Sequence, residues 1–179
     1  HCKLAPMVPP LLPHKPRVCI CDFGSVHVVG EELENNGRTL QYCAPELICE
    51  ISSQISTKTD IFAFGCILYR MLINSDIFDY EEETYILALQ RYLSESDFTA
   101  EVYTTSYFNQ FKIIHDEADI AMQSLKPWYK VYNKYLPPNL IKIIKMCLEC
   151  NPNMRFNINE LTMSIEKAEK DLQTEALSP

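Results

Sequence analysis

The chain has 179 residues, of which 47% are hydrophobic and 22% are charged, and its formal net charge is -8. A chain of this length can bury a sizeable core as one domain, and the composition is too apolar for a disordered protein. The acidic balance and the lack of a basic run argue against nucleic acid and anionic membranes as partners. The longest apolar run, residues 61–69, is too short to cross a bilayer.

Cysteine usage predicts an intracellular, cytoplasmic protein. Most of the eight cysteines lie within apolar strand or helix patterns, which is typical of reduced, buried thiols. Cys147 and Cys150 have the spacing of half a zinc site, but no second pair lies nearby, so we expect core thiols and no structural metal. The sequence begins with His1 rather than Met and shows no signal-peptide pattern, so we expect a piece of a longer chain.

The N-terminal part of the chain changes character at Asp22. A helix is excluded before that point by the prolines between residues 4 and 16, which are Pro6, Pro9, Pro10, Pro13 and Pro16. Residues 17–21 have the apolar pattern of a short buried strand that ends at Asp22. The triplet Asp22-Phe23-Gly24 follows, and taken alone it is a common turn after a strand.

A long buried helix is predicted in the middle of the chain. It begins at Thr57 with a hydroxyl cap, and Asp60 lies in its first turn, where the helix dipole favours an acidic residue. Residues 61–73 are apolar on nearly all faces, which is typical of a helix buried on every side. Two further helices follow, one with an apolar stripe over residues 140–148 and one that starts with a capping pair, Asn157 and Glu160.

Residues 74–137 are the least typical region. An amphipathic helix is predicted over residues 82–93. Aromatic side chains are dense after it, and they include Phe108, Phe111, Trp128, Tyr129, Tyr132 and Tyr135. Core packing is the simpler interpretation of these rings, and a surface that docks a protein partner, where Tyr and Trp anchors are enriched, is the alternative.

Four motifs, in this order and spacing, resemble the C-terminal lobe of the eukaryotic protein kinase family. They are Asp22-Phe23-Gly24, Ala44-Pro45-Glu46, the helix start at Asp60, and Asn151-Pro152-Asn153-Met154-Arg155. The resemblance implies an α+β fold that is mainly α. The family's glycine-rich loop, strand lysine and glutamate partner do not occur in the sequence, so we expect the N-terminal lobe to be absent.

The resemblance also divides the chain. It implies a partial protein kinase domain over residues 1–173 and a tail over residues 174–179. Within the domain it implies a catalytic-loop remnant, an activation segment and a helical lobe, which span residues 1–21, 22–46 and 47–173. Residues 39–43 resemble the substrate-facing loop that leads into the Ala-Pro-Glu motif.

A nucleotide site is implied by the same resemblance. Asp22 would hold the magnesium ion that bridges the nucleotide phosphates, and Gly24 would let the chain turn beside it. The cofactor implied is Mg-ATP, with weak or absent binding.

Structural roles are implied for four residues, Phe23, Glu46, Asp60 and Arg155. Glu46 would be buried against Arg155, because a lone buried carboxylate is prohibitively costly and a forked guanidinium matches it. Asp60 would anchor the backbone of the catalytic loop.

The catalytic loop itself departs from the family. That loop reads H-R-D-L-K-x-x-N, and residues 1–8 fall into the same frame. The base position holds Lys3, whose charged ammonium cannot accept a substrate proton, so general-base help worth about 10²–10⁴-fold is lost. Ala5 replaces the family's lysine, and Val8 offers no oxygen to magnesium. No catalytic residue is intact in this frame.

The resemblance with these departures predicts a pseudokinase, a catalytically impaired domain that acts as a scaffold or allosteric partner of another protein. The alternative is an active Ser/Thr protein kinase with an atypical N-terminus. A pure interaction module that binds no nucleotide is a third interpretation, and a proline-rich linker stays open for residues 1–16.

Overall fold

The computed structural model describes residues 18–29, 39–48, 56–78, 128–132 and 134–176. Within these ranges the chain forms two 3₁₀ turns, Phe23–Ser25 and Leu40–Tyr42, and five α-helices. The helices are α1 (Pro45–Ile48), α2 (Thr57–Ile73), α3 (Trp128–Tyr132), α4 (Pro138–Cys147) and α5 (Ile158–Ala176). The described ranges contain no strand, so the mainly helical character is confirmed for them.

The strand predicted over residues 17–21 is wrong for its described part, residues 18–21. These residues have no regular secondary structure, and Val18 and Ile20 are 90% and 84% exposed. An apolar pattern shows which residues are suited to burial, but a strand also needs a neighbouring backbone to pair with. No described segment pairs with this one.

The long central helix, α2, begins at Thr57 as predicted. The cap lies one residue earlier than expected, because the Ser56 Oγ accepts a hydrogen bond from the Lys58 backbone N–H at 3.3 Å. At the other end Asn74 is left-handed, with φ 57°, and its N–H donates to the Arg70 carbonyl oxygen at 2.8 Å. Asparagine tolerates this conformation better than most residues, so the helix stops and the chain reverses there.

One face of α2 is exposed, which corrects the prediction of burial on every side. Phe62 and Cys66 are fully buried, whereas Phe64, Ile67 and Met71 are exposed at a spacing that places them on one stripe. A helix that is apolar all round does not itself determine which faces the rest of the fold covers. Contacts with neighbouring elements decide that, and they are not encoded in the helix's own pattern.

The α2 and α4 backbones approach closely at Gly65. A Cβ atom on Gly65 would lie 2.7 Å from the Cys147 Cβ and 3.1 Å from the Leu148 Cδ2. Both distances are shorter than carbon atoms pack at their optimal separation. This glycine is therefore required by helix–helix contact rather than by a turn.

The last helix, α5, packs on α4 along one side. Leu161 and Ala168 are buried in a cluster that also contains Cys147. Its start carries a reciprocal cap: the Asn157 N–H donates to Glu160 Oε2 at 2.8 Å, and the Glu160 N–H donates to Asn157 Oδ1 at 3.0 Å. The predicted capping pair is confirmed. No helix in the described part of the chain is long and apolar enough to span a membrane.

Aromatic rings join α2 to the elements around it. Phe62 stacks on Phe78 with ring centroids 5.8 Å apart, and Tyr69 meets Trp128 edge-on at 5.4 Å. The core-packing interpretation holds for Trp128, which is buried, and not for Tyr135, which is exposed. It also holds for Tyr129 and Tyr132, which are partly buried and pack against the same core. The helix predicted over residues 82–93 and the rings of Phe108 and Phe111 lie outside the described residues.

The thiols divide into two classes. The buried ones are Cys43, Cys66, Cys147 and Cys150. Cys19 and Cys21 are exposed, which corrects the prediction of burial for these two, and Cys2 and Cys49 lie outside the described residues. Burial raises the pKa of the Cys147 thiol to about 12 and raises that of Cys66 as well, so both are protonated and unreactive near neutral pH.

Candidate functional site

Asp22 lies immediately before the first 3₁₀ turn, in a left-handed backbone conformation with φ 64° and ψ 70°. Few non-glycine residues adopt this region, although aspartate is among those enriched there. Residues held in such sparsely populated conformations cluster at functional sites. The backbone therefore marks Asp22 as the residue around which this segment turns.

The left-handed residue of this segment is Asp22 and not Gly24. Gly24 has no positive φ, and among the described residues a Cβ atom there would meet only the Asp22 Oδ1, at an ordinary contact distance of 3.5 Å. The turning role that the resemblance implies for this glycine stays a prediction. The predicted parts of Gly24 in nucleotide binding and of Phe23 in the fold stay predictions, and Phe23 is 67% exposed.

As a metal ligand, Asp22 offers a carboxylate, the donor type that hard cations require. Among the described residues, no group of three or more His, Cys, Asp or Glu side chains is placed to hold a metal ion. Magnesium bound to a nucleotide takes one or two carboxylates and completes its shell with phosphates and water. A single carboxylate suits nucleotide-bound magnesium, which needs few protein ligands, and the role of Asp22 as that ligand stays a prediction.

The best-defined polar site joins α1 to the turn that precedes α5. Arg155 NH1 donates to Glu46 Oε1 at 2.7 Å, and its NH2 donates to Glu46 Oε2 at 2.9 Å. The Arg155 side chain is 0% exposed and that of Glu46 is 7% exposed. The pair that the sequence predicts is present, and it has the bidentate geometry that makes such pairs strong.

All five N–H donors of Arg155 are used. Besides the two bonds to Glu46, Nε donates to the Glu149 carbonyl at 2.8 Å, NH1 to the Lys58 carbonyl at 2.8 Å, and NH2 to the Cys150 carbonyl at 3.2 Å. Five is the full donor capacity of a guanidinium, and a lysine would offer three donors without the planar fork. The position therefore requires arginine.

These bonds connect three stretches of chain around one buried charge. α1 supplies Glu46, the first turn of α2 supplies the Lys58 carbonyl, and the turn after α4 supplies Arg155. Lys58 Nζ in return donates to the Arg155 carbonyl oxygen, and the Phe62 ring lies 5.0 Å from the guanidinium carbon. The site thus fixes the position of residues 45–48 relative to the helices.

Asp60 is exposed in the first turn of α2. The backbone that it would anchor belongs to residues 1–8, which lie outside the described residues together with Lys3, Ala5 and Val8. Its anchoring role stays a prediction. The helix dipole already gives a sufficient reason for an acidic residue at this place.

A second polar cluster was not predicted from the sequence. The Tyr42 hydroxyl donates to Asp76 Oδ1 at 2.8 Å and accepts from Arg70 NH1 at 2.9 Å, while the same nitrogen lies 2.7 Å from both Asp76 oxygens. Desolvation, followed by the hydrogen bond to Asp76, raises the pKa of Tyr42. Arg70 and Asp76 lie six residues apart across a helix end, and no helical spacing rule would connect them.

The family follows from comparison with known sequences. The model of the protein kinase domain matches residues 11–164, which is most of the chain. The chain belongs to the protein kinase family. The match includes Asp22, Glu46 and Arg155, and it begins after residues 1–8 of the catalytic-loop frame.

The fold is also similar to that of a solved kinase. A chain in the crystal structure of the yeast RNA Pol II CTD kinase CTDK-1 complex matches with a TM-score of 0.58 at 20% sequence identity. The likeness covers 79% of this kinase domain and 47% of that chain, so the sequence spans about half the length of the structure it matches. At this identity the likeness confirms a kinase-like fold.

Proposed function

We propose that this kinase domain is impaired in phosphoryl transfer and acts as a scaffold or allosteric partner of another protein. The observation that carries the proposal is Lys3 at the position of the catalytic base in the frame of residues 1–8. An ammonium group cannot take a proton from a substrate hydroxyl, which removes about 10²–10⁴-fold of rate. Val8 removes an oxygen ligand for the second magnesium ion.

The buried pair of Glu46 and Arg155 favours a folded scaffold over a domain that has lost its structure along with its activity. The bidentate pair of Glu46 and Arg155 is complete, although the catalytic positions have changed. A fold kept in order without its chemistry is suited to presenting a surface to a partner. The matched kinase chain is part of a complex, which is consistent with a protein partner here. Cysteine usage supports a cytoplasmic location.

Weak or absent Mg-ATP binding is part of the proposal. Asp22 is the residue that would hold nucleotide-bound magnesium, and Gly24 lies beside it. Bound Mg-ATP would supply the transferable phosphoryl group. With Val8 in place of an oxygen ligand, Asp22 would hold the metal with less help than in an active kinase.

An active Ser/Thr kinase is the second candidate function, and Asp22 is the observation that favours it. Asp22 is the acidic residue that the family's Asp-Phe-Gly motif has at this position. Its backbone is left-handed, and such sparsely populated conformations cluster at functional sites. The two candidates differ in one measurable quantity, the transfer of phosphate that depends on Asp22.

Transfer of labelled phosphate from Mg-ATP to a general protein substrate separates the candidates. Asp22→Asn is the appropriate control, because asparagine also tolerates a left-handed backbone and removes only the charge. We expect no transfer above that of Asp22→Asn. Transfer by the unaltered protein that Asp22→Asn abolishes would establish the active kinase instead. A gain of transfer in a Lys3→Asp, Val8→Asn variant would support the impairment by these two positions.

Nucleotide binding is measured separately, by the change in melting temperature on adding Mg-ATP. A shift that Asp22→Asn removes would show binding through this carboxylate. If Mg-ATP does not change the melting temperature of the unaltered protein, the domain binds no nucleotide and would act as a scaffold without one.

A further inference from the structure

We propose that Tyr42, Arg70 and Asp76 form a latch that holds two segments, residues 39–42 and residues 74–78, together on the C-terminal end of α2. The two segments would open and close as one unit. This inference does not depend on whether the domain transfers phosphate.

Each member of the latch belongs to a different stretch of chain. Tyr42 ends the second 3₁₀ turn, Arg70 lies in the last turn of α2, and Asp76 follows the left-handed reversal at Asn74. The reversal carries Asp76 back over the helix end, where its carboxylate meets the guanidinium. Among the described residues, the hydrogen bond of the Tyr42 hydroxyl to Asp76 is the direct polar link between Tyr42 and the segment after α2.

A single nitrogen makes the latch cooperative. Arg70 NH1 serves the Tyr42 hydroxyl and both Asp76 oxygens, while the same hydroxyl donates to Asp76 Oδ1. Each group therefore positions the partner of another, and the loss of one group weakens the contact between the other two. Such a closed triangle is expected to respond non-additively to the removal of its members.

The exposure of the latch allows it to open, in contrast to the Arg155 site. The side chains of Arg70 and Asp76 are 56% and 25% exposed, so water can replace their contacts at low cost. Arg155 is fully buried and would leave a charge unpaired in the core. Between residues 39 and 48, Glu46 is thus held by a fully buried pair, whereas Tyr42 is held by polar contacts that water can replace and by partly buried packing against the core.

Opening at Tyr42 would therefore move residues 39–42 while α1 stays in place. By the family resemblance these residues belong to the substrate-facing loop. The latch would couple that loop to residues 74–78, where Phe78 is buried against Phe62. Coupling of this kind is reciprocal, so a partner that binds at either segment would change the opening of the other.

Amide hydrogen exchange of the full chain, followed residue by residue, tests the latch. The Tyr42 and Cys43 amides donate to Thr39 and Leu40 and report on the first segment, while the Asn74 amide reports on the second. The Leu161 amide, bonded to Asn157 in α5, is a distant reference. The variants are Tyr42→Phe, which keeps the ring, Asp76→Asn, which keeps the shape, and the double variant.

The latch predicts effects that cross between segments. Tyr42→Phe should speed exchange at Asn74, and Asp76→Asn should speed it at Cys43, each by about threefold to tenfold, as expected for one lost hydrogen bond. The double variant should exchange no faster than the faster single variant, and Leu161 should not change. Tyr135→Phe, which removes an exposed hydroxyl, is the matched control and should have no effect.

Two outcomes would overturn the proposal. One is acceleration confined to the segment that carries the substitution, since this shows that the segments open independently. The other is equal acceleration at Leu161, which would show a loss of global stability rather than local opening. Arg70→Gln provides a second route to the same readout if one of the other variants folds poorly.

Discussion

Replacing Glu46 by alanine would leave the Arg155 guanidinium buried with two of its five donors unpaired. Arg155 is 0% exposed, so the two bonds of 2.7 and 2.9 Å that Glu46 provides would be lost in a site closed to bulk water. Removing one partner of a buried pair typically costs about 3–5 kcal/mol of the free energy of unfolding. That is a change of about 10²–10⁴ in the unfolding equilibrium constant.

Urea unfolding measures this loss. With a slope of about 2 kcal/mol per molar urea, the midpoint should fall by about 2 M, or the variant should already be partly unfolded in buffer. The matched control is Glu166→Ala, an exposed glutamate on α5, which should change the free energy of unfolding by less than about 0.5 kcal/mol. A loss below about 0.5 kcal/mol for Glu46→Ala would refute the argument, because it would mean that the pair stabilises nothing.

A double variant separates the pair from its surroundings. Glu46→Ala, Arg155→Met removes both charges, so the cost of a buried unpaired charge disappears. Recovery should be incomplete, because Met cannot donate to the carbonyls of Lys58, Glu149 and Cys150. The two single losses should therefore add up to more than the double loss.

Three further predictions concern packing and thiols. Gly65→Ala should lower the free energy of unfolding by about 1–3 kcal/mol through overpacking against α4, although alanine favours a helix; an unchanged urea midpoint would contradict the close contact. N-ethylmaleimide should label Cys19 and Cys21 in the native protein, and peptide mapping that finds Cys147 labelled equally fast would contradict its burial. Burial raises the pKa of Tyr69 and of Cys147 to about 12. Because the unfolded chain loses these protons at a lower pH than the folded protein, the folded state is favoured fully below about pH 9, and this stability is lost as the pH rises towards 12. Urea midpoints at pH 8 and pH 11 should show this fall, and Tyr69→Phe should reduce it; a midpoint independent of pH would contradict it.

Local chemistry explains what could be predicted from the sequence. Helix starts depend on a few neighbouring residues, and so the start of α2 at Thr57 and the reciprocal cap of Asn157 and Glu160 could be anticipated. The pair of Glu46 and Arg155 joins residues far apart in the chain. It could be predicted only because the family's motifs mark both positions and a buried carboxylate demands a partner.

Contacts between distant elements explain what could not be predicted from the sequence. Nothing near Gly65 in the sequence reveals that α4 crosses there, and the spacing of Arg70 and Asp76 gives no hint of their meeting. The apolar patterns of residues 18–21 and of α2 overstated burial in the same way. A pattern reports the capacity of a side chain to be buried, whereas the neighbours that bury it come from other parts of the chain.

The Arg155 site has a consequence for the order in which the chain folds. Its acceptors come from α1, α2 and the turn after α4, and Glu46 is 109 residues from the arginine. A partly assembled site would trap a dehydrated charge without its partners, which is less favourable than leaving the guanidinium in water. We therefore expect these bonds to form together, after the intervening chain has closed, and not to assist the early steps. Their effect is then mainly on how slowly the folded domain opens, so this buried arginine sets the lifetime of the native state more than the speed of reaching it.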